Sequence, residues 1–253
     1  APADALIAVR AADGEWVVAE TLTEARRRAG KVQGRRTTEP LTWPIEVPPG
    51  EWARTLQTGW VEPAYLEPDA AWCLPDGVPV GPLTNGGAFG GKTGDQLAVV
   101  AQRLAAEHGR AVLALYSRED VVRLGPKRPP LAAGVRADGT GVVRVARTAG
   151  IAAAIHSFAP GLVVEEVDIA GPPTSVQVRA AGWAEAAVLL AAVQPADGDG
   201  WVRSPNGARA RAEVQADGAI EVEVECGPVL DEVVLHSYCV GAAHMALGWV
   251  RHE

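Results

Sequence analysis

The chain has 253 residues, of which 48% are apolar and 21% are charged, and its formal net charge is −8. This length and composition are typical of a globular protein with one large domain or two small ones. The acidic balance argues against nucleic acid or an anionic membrane as the main partner, because both need a basic surface.

Targeting signals are not apparent in the sequence. No apolar run approaches the roughly 20 residues that cross a membrane. The first residues, APADALIAVRAADGEW, have neither the basic start nor the continuous apolar core of a signal peptide. Three cysteines (Cys73, Cys226 and Cys239) are an odd number at spacings that suggest no pairing. We therefore expect reduced thiols and a cytoplasmic protein.

The N-terminal segment predicts two strands and a helix. Apolar runs within residues 5–19 flank a turn and predict a pair of strands. Thr21 or Thr23 can cap the helix that follows, and Gly30 or Gly34 can end it. A proline-rich connector, EPLTWPIEVPPGEW, then marks a boundary near residue 50.

The rest of the chain alternates between strand and helix patterns. Helical spacing follows the glycine-rich segment near residue 90 and continues to Gly109. Further helices are predicted at GWAEAAVLLAAV and SYCVGAAHMALGWV, and strands at AVLALYS, GTGVVRVART, GLVVEEVDIA and AIEVEVECGP. We predict a mixed α/β (α+β) fold with a first substructure at 1–50 and a second at 51–253.

The most distinctive motif is GGAFGGKT, residues 86–93. It satisfies G-x-x-x-x-G-K-[ST], the phosphate-binding loop of nucleotide hydrolases. Such a loop follows a central parallel strand, but Pro79 and Pro82 stand where that strand would run, and proline cannot donate to a ladder. The glycines still allow the main chain to approach a ligand, and amides before a helix favour an anion or an oxo group. A tight glycine turn without a ligand is the structural alternative.

Five segments occur in a recognisable order: WVEPAYLEPDAAWCLPDG, GGAFGGK, LYSREDVVRLGPKRPP, VQVRAAGWAEAAVLL and GPVLDEVVLHSYCVGAAHMALGWV. Together they resemble the large molybdenum-binding subunit of the xanthine dehydrogenase and aldehyde oxidase family, which includes the large subunit of aerobic carbon monoxide dehydrogenase. That family has EH-x-x-LEP-x-A-A, GGGFGGK, LSREED…HRPP and FRAPG…E in the first four places. The last segment is similar to the one that opens the second half of the family's cofactor-binding region.

The resemblance implies a fold, a cofactor and a reaction class. Residues 1–50 would be the remnant of an α/β-hammerhead domain, and 51–253 a shortened molybdopterin-binding domain. The implied cofactor is molybdenum–molybdopterin, with the cytosine dinucleotide form as one candidate, and the implied reaction is an oxidoreductive hydroxylation with water as the oxygen source. The implied cofactor-contacting residues are Gly86, Gly87, Phe89, Gly90, Gly91, Arg179 and Gly182.

The departures from the family concern length and catalysis. The family's subunit is about three times as long, and its general base is a glutamate in a Gly-x-Gly-Glu segment that has no counterpart here. Thr93 follows the loop where purine hydroxylases carry a substrate-contacting glutamate, and Pro63 stands where the family often has histidine. No catalytic residue is therefore predicted. Of the other acids, Glu67 matches a structural position, and Glu185 is expected to be a solvated or capping charge.

His236, Cys239 and His244 raise the question of a metal site. On a helix His236 and Cys239 lie on one face, whereas His244 lies on a different side. The other cysteines do not complete a spacing typical of a zinc site. A buried thiol with satisfied histidines is the preferred interpretation, and no metal ligand is predicted.

Three functions remain as hypotheses. The first is a molybdopterin-binding subunit, or a truncated homologue, that is inactive alone. It would need iron–sulfur and FAD subunits or a chain supplying the missing half-domain, and we expect a homo- or hetero-oligomer. The second is a non-catalytic fold relative that acts as an assembly or binding module. The third is a nucleotide-binding protein that uses the phosphate-loop pattern.

Overall fold

The computed structural model describes residues 1–31, 43–63, 69–81, 88–92, 96–193 and 200–252. Contacts divide the chain into two compact units. The first consists of Ala1–Leu41, Trp60–Arg128 and Ala170–Ala180. The second consists of Thr42–Gly59, Pro129–Ile169 and Ala181–Glu253.

The described residues form the following strands: β1 (Leu6–Arg10), β2 (Trp16–Ala19), β3 (Arg54–Gln57), β4 (Ala70–Cys73), β5 (Val112–Leu115), β6 (Leu131–Val135), β7 (Gly141–Ala146), β8 (Leu162–Val167), β9 (Val202–Arg203), β10 (Arg209–Val214) and β11 (Ile220–Glu225). They form the following α-helices: α1 (Leu22–Arg28), α2 (Gln96–His108), α3 (Arg118–Leu124), α4 (Ile151–Phe158), α5 (Trp183–Ala191) and α6 (Glu232–His252). The mixed α/β fold class is thereby confirmed.

The first unit is built on a four-stranded sheet of order β2-β1-β5-β4. β1 pairs parallel with β5, whereas β2 and β4 pair antiparallel with their neighbours. Because side chains alternate along a strand, β1 sends Leu6 and Ala8 to one face of the sheet and Val9 to the other. The first face packs on α2 and the second on α1. The sheet is thus buried between helices on its two faces.

The second unit contains a sheet of order β3-β6-β7-β8. β6 and β7 form a hairpin, and β7 and β8 are parallel strands joined through α4. Ile151 and Ile155 of α4 and Leu189 of α5 are fully buried where the two helices pack together. A separate meander of order β11-β10-β9 precedes α6.

The predicted elements are confirmed, but the structure contains others that were not predicted. Thr21 caps α1 by accepting the Glu24 N–H at 3.2 Å, and Gly30 follows the helix at φ +67°. The unpredicted elements include the helices α3 and α4 and the strands β3, β6, β9 and β10. The assignment of 1–50 and 51–253 to separate substructures stays a prediction.

Candidate functional site

The described part of the glycine loop is a single left-handed turn, Ala88–Gly90. Ala88 and Phe89 both have φ of +47°, and Gly90 has φ of +82°. The turn is closed by the Gly91 N–H, which donates to the Ala88 carbonyl at 2.7 Å. Ala88 is buried, whereas the Phe89 ring is 48% exposed. Two successive non-glycine residues in this conformation are unusual, because Cβ then crowds the backbone.

A second left-handed turn occurs at Val178–Ala180, in the segment that matches the family's arginine motif. Arg179 has φ of +49° and Ala180 has φ of +53°. Val178 is fully buried, and its N–H donates to the Ser175 carbonyl at 3.2 Å. Each such residue costs on the order of 1–3 kcal/mol and persists only where the surrounding structure holds it.

The two turns meet within the first unit. A Cβ at Gly90 would overlap the carbonyl of Gln177, so only glycine allows this approach. The guanidinium carbon of Arg179 lies 5.3 Å from the Phe89 ring centroid, within the range of a cation–π contact. The structure therefore brings together Phe89, Gly90 and Arg179, three of the residues that the sequence singled out.

The segment Val61–Pro63 supports the arginine turn and was not predicted to do so. Arg179 Nη2 donates to the Pro63 carbonyl at 3.2 Å. The backbone N–H of the buried Arg128 donates to the Val61 carbonyl at 2.9 Å. Proline suits this position because its carbonyl still accepts although it has no N–H.

Two cations are buried beside this segment. Lys127 and Arg128 are only 6% and 5% exposed. The Lys127 ammonium lies 2.9 Å from a carboxylate oxygen of Glu62 and donates to the Gly125 carbonyl at 2.6 Å. The Lys-Arg pair of the KRPP motif was the available sequence signal, but a basic pair in a proline-rich segment is usually solvated, so its burial was missed.

The start of α2, which follows the loop, is held by an aromatic residue of the first unit. The Tyr116 hydroxyl donates to Gln96 Oε1 at 3.0 Å, and its ring stacks on Trp16 with centroids 6.1 Å apart. Burial raises the pKa of Tyr116, so the phenol remains a hydrogen-bond donor at neutral pH.

Gly182 belongs to the second unit and has a local structural role. It has φ of +79°, and its N–H donates to Glu185 Oε2 at 2.8 Å. A Cβ there would lie 2.8 Å from Ile151 Cδ1. Glu185 is 1% exposed, so of the two alternatives in its prediction, a solvated or a capping charge, the capping role is the one observed.

Several residues that the sequence singled out lie outside the described part of the chain: Gly86, Gly87, Glu67 and Thr93. The remaining candidates do not form a metal centre. His236 and His244 are exposed and Cys239 is half-buried, so the expectation of a buried thiol is wrong. Within the described ranges, no three His, Cys, Asp or Glu side chains come together as possible metal ligands.

The arrangement before the loop differs from that of a nucleotide hydrolase. β4 is antiparallel to β5, and Trp72 of β4 pairs antiparallel with Val80 just before the loop. The described approach to the loop is therefore a hairpin-like edge and not a central parallel strand. This geometry does not favour a phosphate loop.

The described residues meet only part of what a bound molybdopterin would require. The meeting of a strained loop with an arginine turn fits a holding surface, in which an arginine can contact anionic oxygens. Gly90 and Gly91 fit less well, because the protein's own backbone fills the space beside the first and accepts the N–H of the second. No residue of the described turns is a carboxylate that could serve as a general base.

No protein-family model and no curated protein sequence matches this chain. Among solved structures, the chain is similar to an aldehyde oxidoreductase from Desulfovibrio gigas, with a TM-score of 0.29 and 18% sequence identity. The match covers 53% of this chain and 23% of the other, so this chain spans less than a quarter of that protein's length. None of the helices in the described ranges is long and apolar enough to cross a membrane.

Proposed function

We propose that this chain is a molybdopterin-binding component of a xanthine dehydrogenase-type hydroxylase and is inactive alone. The observation that supports the proposal is the contact between the two left-handed turns, Ala88–Gly90 and Val178–Ala180. Four non-glycine residues in left-handed conformations cost conformational free energy that a purely structural junction would not require. Such strain concentrates at ligand sites. Both turns also lie in segments that resemble the family's cofactor-binding motifs.

In this proposal Phe89 and Arg179 form the described part of the holding surface. The bound group would supply the redox chemistry, and these residues would bind and orient it. The Arg179 guanidinium offers charged donors to an oxygen-rich ligand, and the Pro63 carbonyl fixes one of its nitrogens. The Phe89 ring limits the directions from which solvent reaches the guanidinium.

The proposal requires partner chains. Three cysteines in the sequence are too few for a four-cysteine iron–sulfur cluster, so electrons would leave through separate iron–sulfur and FAD subunits. A general base would come from a part of the cofactor-binding domain that lies outside these residues. The chain would therefore work within an oligomer.

A second function, that of a non-catalytic assembly module, is favoured by one specific observation. The contact of Gly90 with the Gln177 backbone accounts for that glycine without any ligand. In that case the turns would be a retained structural junction, and the protein would bind other chains without a cofactor.

Cofactor retention separates the two functions. The protein is produced in a host that synthesises molybdenum cofactor, and molybdenum and released pterin are measured on the purified chain. We expect both to co-purify with the wild type and to fall at least about tenfold with Arg179→Met, a loss of the size expected for a charged contact. The exposed Arg103→Met serves as the control and should retain both. A wild-type protein free of molybdenum and pterin would favour the assembly module.

A further inference from the structure

Helix α6 contacts its own chain along one narrow stripe. Leu235, Cys239, Ala243 and Leu247 are partly buried and are spaced four residues apart. The other large apolar side chains described on this helix are exposed, among them Val233 at 80% and Val240 at 56%. A helix that is apolar around most of its circumference is normally covered on most sides.

The opposite side of α6 carries a regular row of five positions, of which Gly248 is half-buried and the other four are exposed. Val234, Tyr238, Gly241, Met245 and Gly248 follow one another at spacings of four, three, four and three residues. We call this row the α6 seam. Such spacing is the heptad pattern of two helices packed side by side, and the row lies about 160° around the helix from the packed stripe at 100° per residue.

The α6 seam is open in the isolated chain. Tyr238 is 71% exposed, Val234 45% and Met245 42%. A Cβ at Gly241 or Gly248 would meet no atom within 4 Å, so neighbouring side chains could be accommodated there. The seam therefore combines large exposed side chains with two glycines that leave space beside them.

The charge distribution along α6 allows a second copy of this chain as the occupant. The chain carries a net charge of −8, so most pairs of its surfaces repel each other. Residues 233–250 contain no Asp, Glu, Lys or Arg. Two copies can approach through α6 without placing like charges opposite each other.

We propose that α6 pairs antiparallel with α6 of a second copy, with the two-fold axis between Gly241 and Ala242. In this register Tyr238 lies opposite the partner's Met245, and Val234 comes within one residue of the position opposite the partner's Gly248, as an isologous interface requires. Tyrosine and methionine make favourable ring–sulfur contacts, and glycine leaves room for valine.

The ends of the helices are complementary in the same register. Asp231 precedes α6 and Glu232 begins it. They come beside the last turn of the partner helix, where the sequence has Arg251. Negative charge also suits the N-terminus of a helix, and antiparallel helix dipoles attract. A parallel pair would instead place the acidic ends side by side.

Sedimentation equilibrium of the full chain tests the pairing. We expect a concentration-dependent dimer for the wild type, and Tyr238→Glu should weaken it at least about tenfold because two carboxylates then enter an apolar seam. Val240→Glu is the matched control, since it adds the same charge to an exposed position on the same helix but away from the seam. It should leave the dimer unchanged.

A double variant tests the direction of the helices. Tyr238→Glu combined with Met245→Lys should restore the dimer, because the new opposite charges face each other twice in an antiparallel pair. Circular dichroism checks that each variant keeps its helix content. A wild type that stays monomeric at all concentrations, a dimer indifferent to Tyr238→Glu, or a surface that binds only a different protein would overturn the proposal. Molybdenum content plays no part in this test, so its outcome is separate from that of the proposed function.

Discussion

Gly90 is the residue on which the contact between the two turns depends. Its φ of +82° is strained for a residue with Cβ, and a Cβ would also overlap the Gln177 carbonyl. Gly218, in the turn between β10 and β11, has a similar φ of +86°, but a Cβ there would meet nothing within 4 Å. Substitution of Gly218 therefore tests the backbone conformation alone, whereas substitution of Gly90 tests the backbone conformation together with the close approach of Gln177.

We expect Gly90→Ala to destabilise the protein by about 2 kcal/mol more than Gly218→Ala does. The second substitution should cost about 1 kcal/mol from the backbone conformation alone, whereas the first adds a steric overlap with main-chain atoms that cannot turn away. Urea unfolding followed by tryptophan fluorescence measures both. Equal losses at the two positions would mean that the turns do not touch as described.

The left-handed residues had no signature in the sequence. Ala88, Phe89, Arg179 and Ala180 are residue types that rarely adopt positive φ. Nothing in their local pattern predicts the conformation, and no periodicity links positions about ninety residues apart. Only the resemblance to a family placed the glycine loop and the arginine segment at one site.

At the scale of elements, the end of α1 and the start of α3 are tied by a buried ion pair. Lys31 Nζ lies 2.8 Å from Asp120 Oδ1, and both side chains are less than a tenth exposed. The other carboxylate oxygen of Asp120 accepts the backbone N–H of Ser117 at 2.9 Å and its hydroxyl at 2.7 Å. One carboxylate thus caps α3 and neutralises a lysine that follows α1.

Asp120→Asn should destabilise the protein by about 3 kcal/mol, because it leaves the Lys31 ammonium buried without its counter-charge while the amide can still cap α3. Adding Lys31→Met should recover much of that loss. Glu107→Gln, which breaks the exposed pair with Arg103, is the control and should cost less than about 0.5 kcal/mol. Thermal denaturation compares them, and an equally small loss for Asp120→Asn would refute the account of this contact.

Helices with a clear apolar periodicity and clear end signals could be predicted from the sequence, and helices without them could not. α2 was predicted because its apolar residues recur at helical spacing and Gly109 follows it. α3 was missed although Ser117 and Asp120 form a capping box, since its seven residues carry too little periodicity to outweigh the charges and prolines around them. α4 was missed because Gly150 before it offers no side-chain cap.

For the whole molecule, surface carboxylates set the response to acid. The hydrogen bond from Arg147 lowers the pKa of Asp168 below its ordinary value of 3.8, and the hydrogen bond from Arg110 lowers the pKa of Glu20 below 4.5. A lowered folded-state pKa contributes stability that is present above the unfolded-state pKa and is lost as pH falls through the folded-state value.

We therefore expect the melting temperature to fall as the pH drops below about 4. Asp168→Asn should make that fall shallower while changing little near pH 7, because exposed pairs contribute little and are screened by salt. Calorimetry across this pH range in low salt measures the effect. The same slope in the variant and the wild type would show that this pair does not contribute.

The organisation of the whole chain also bears on its partners. The chain has a net charge of −8, so most of its surface repels another copy. The stretch 233–250 of α6 has no charged residue and is where we expect two copies to associate. The proposed cofactor site lies in the first unit and the proposed dimer helix in the second. Loss of one function by substitution should therefore leave the other measurable.

Native mass spectrometry of the wild-type chain, purified from a host that makes molybdenum cofactor, tests the central claim most directly. The claim is that the facing turns around Phe89 and Arg179 hold a molybdenum–pterin group. The account predicts a species heavier than the bare chain by one such group, which is lost on denaturation. A spectrum that contains only the mass of the unmodified polypeptide would contradict it.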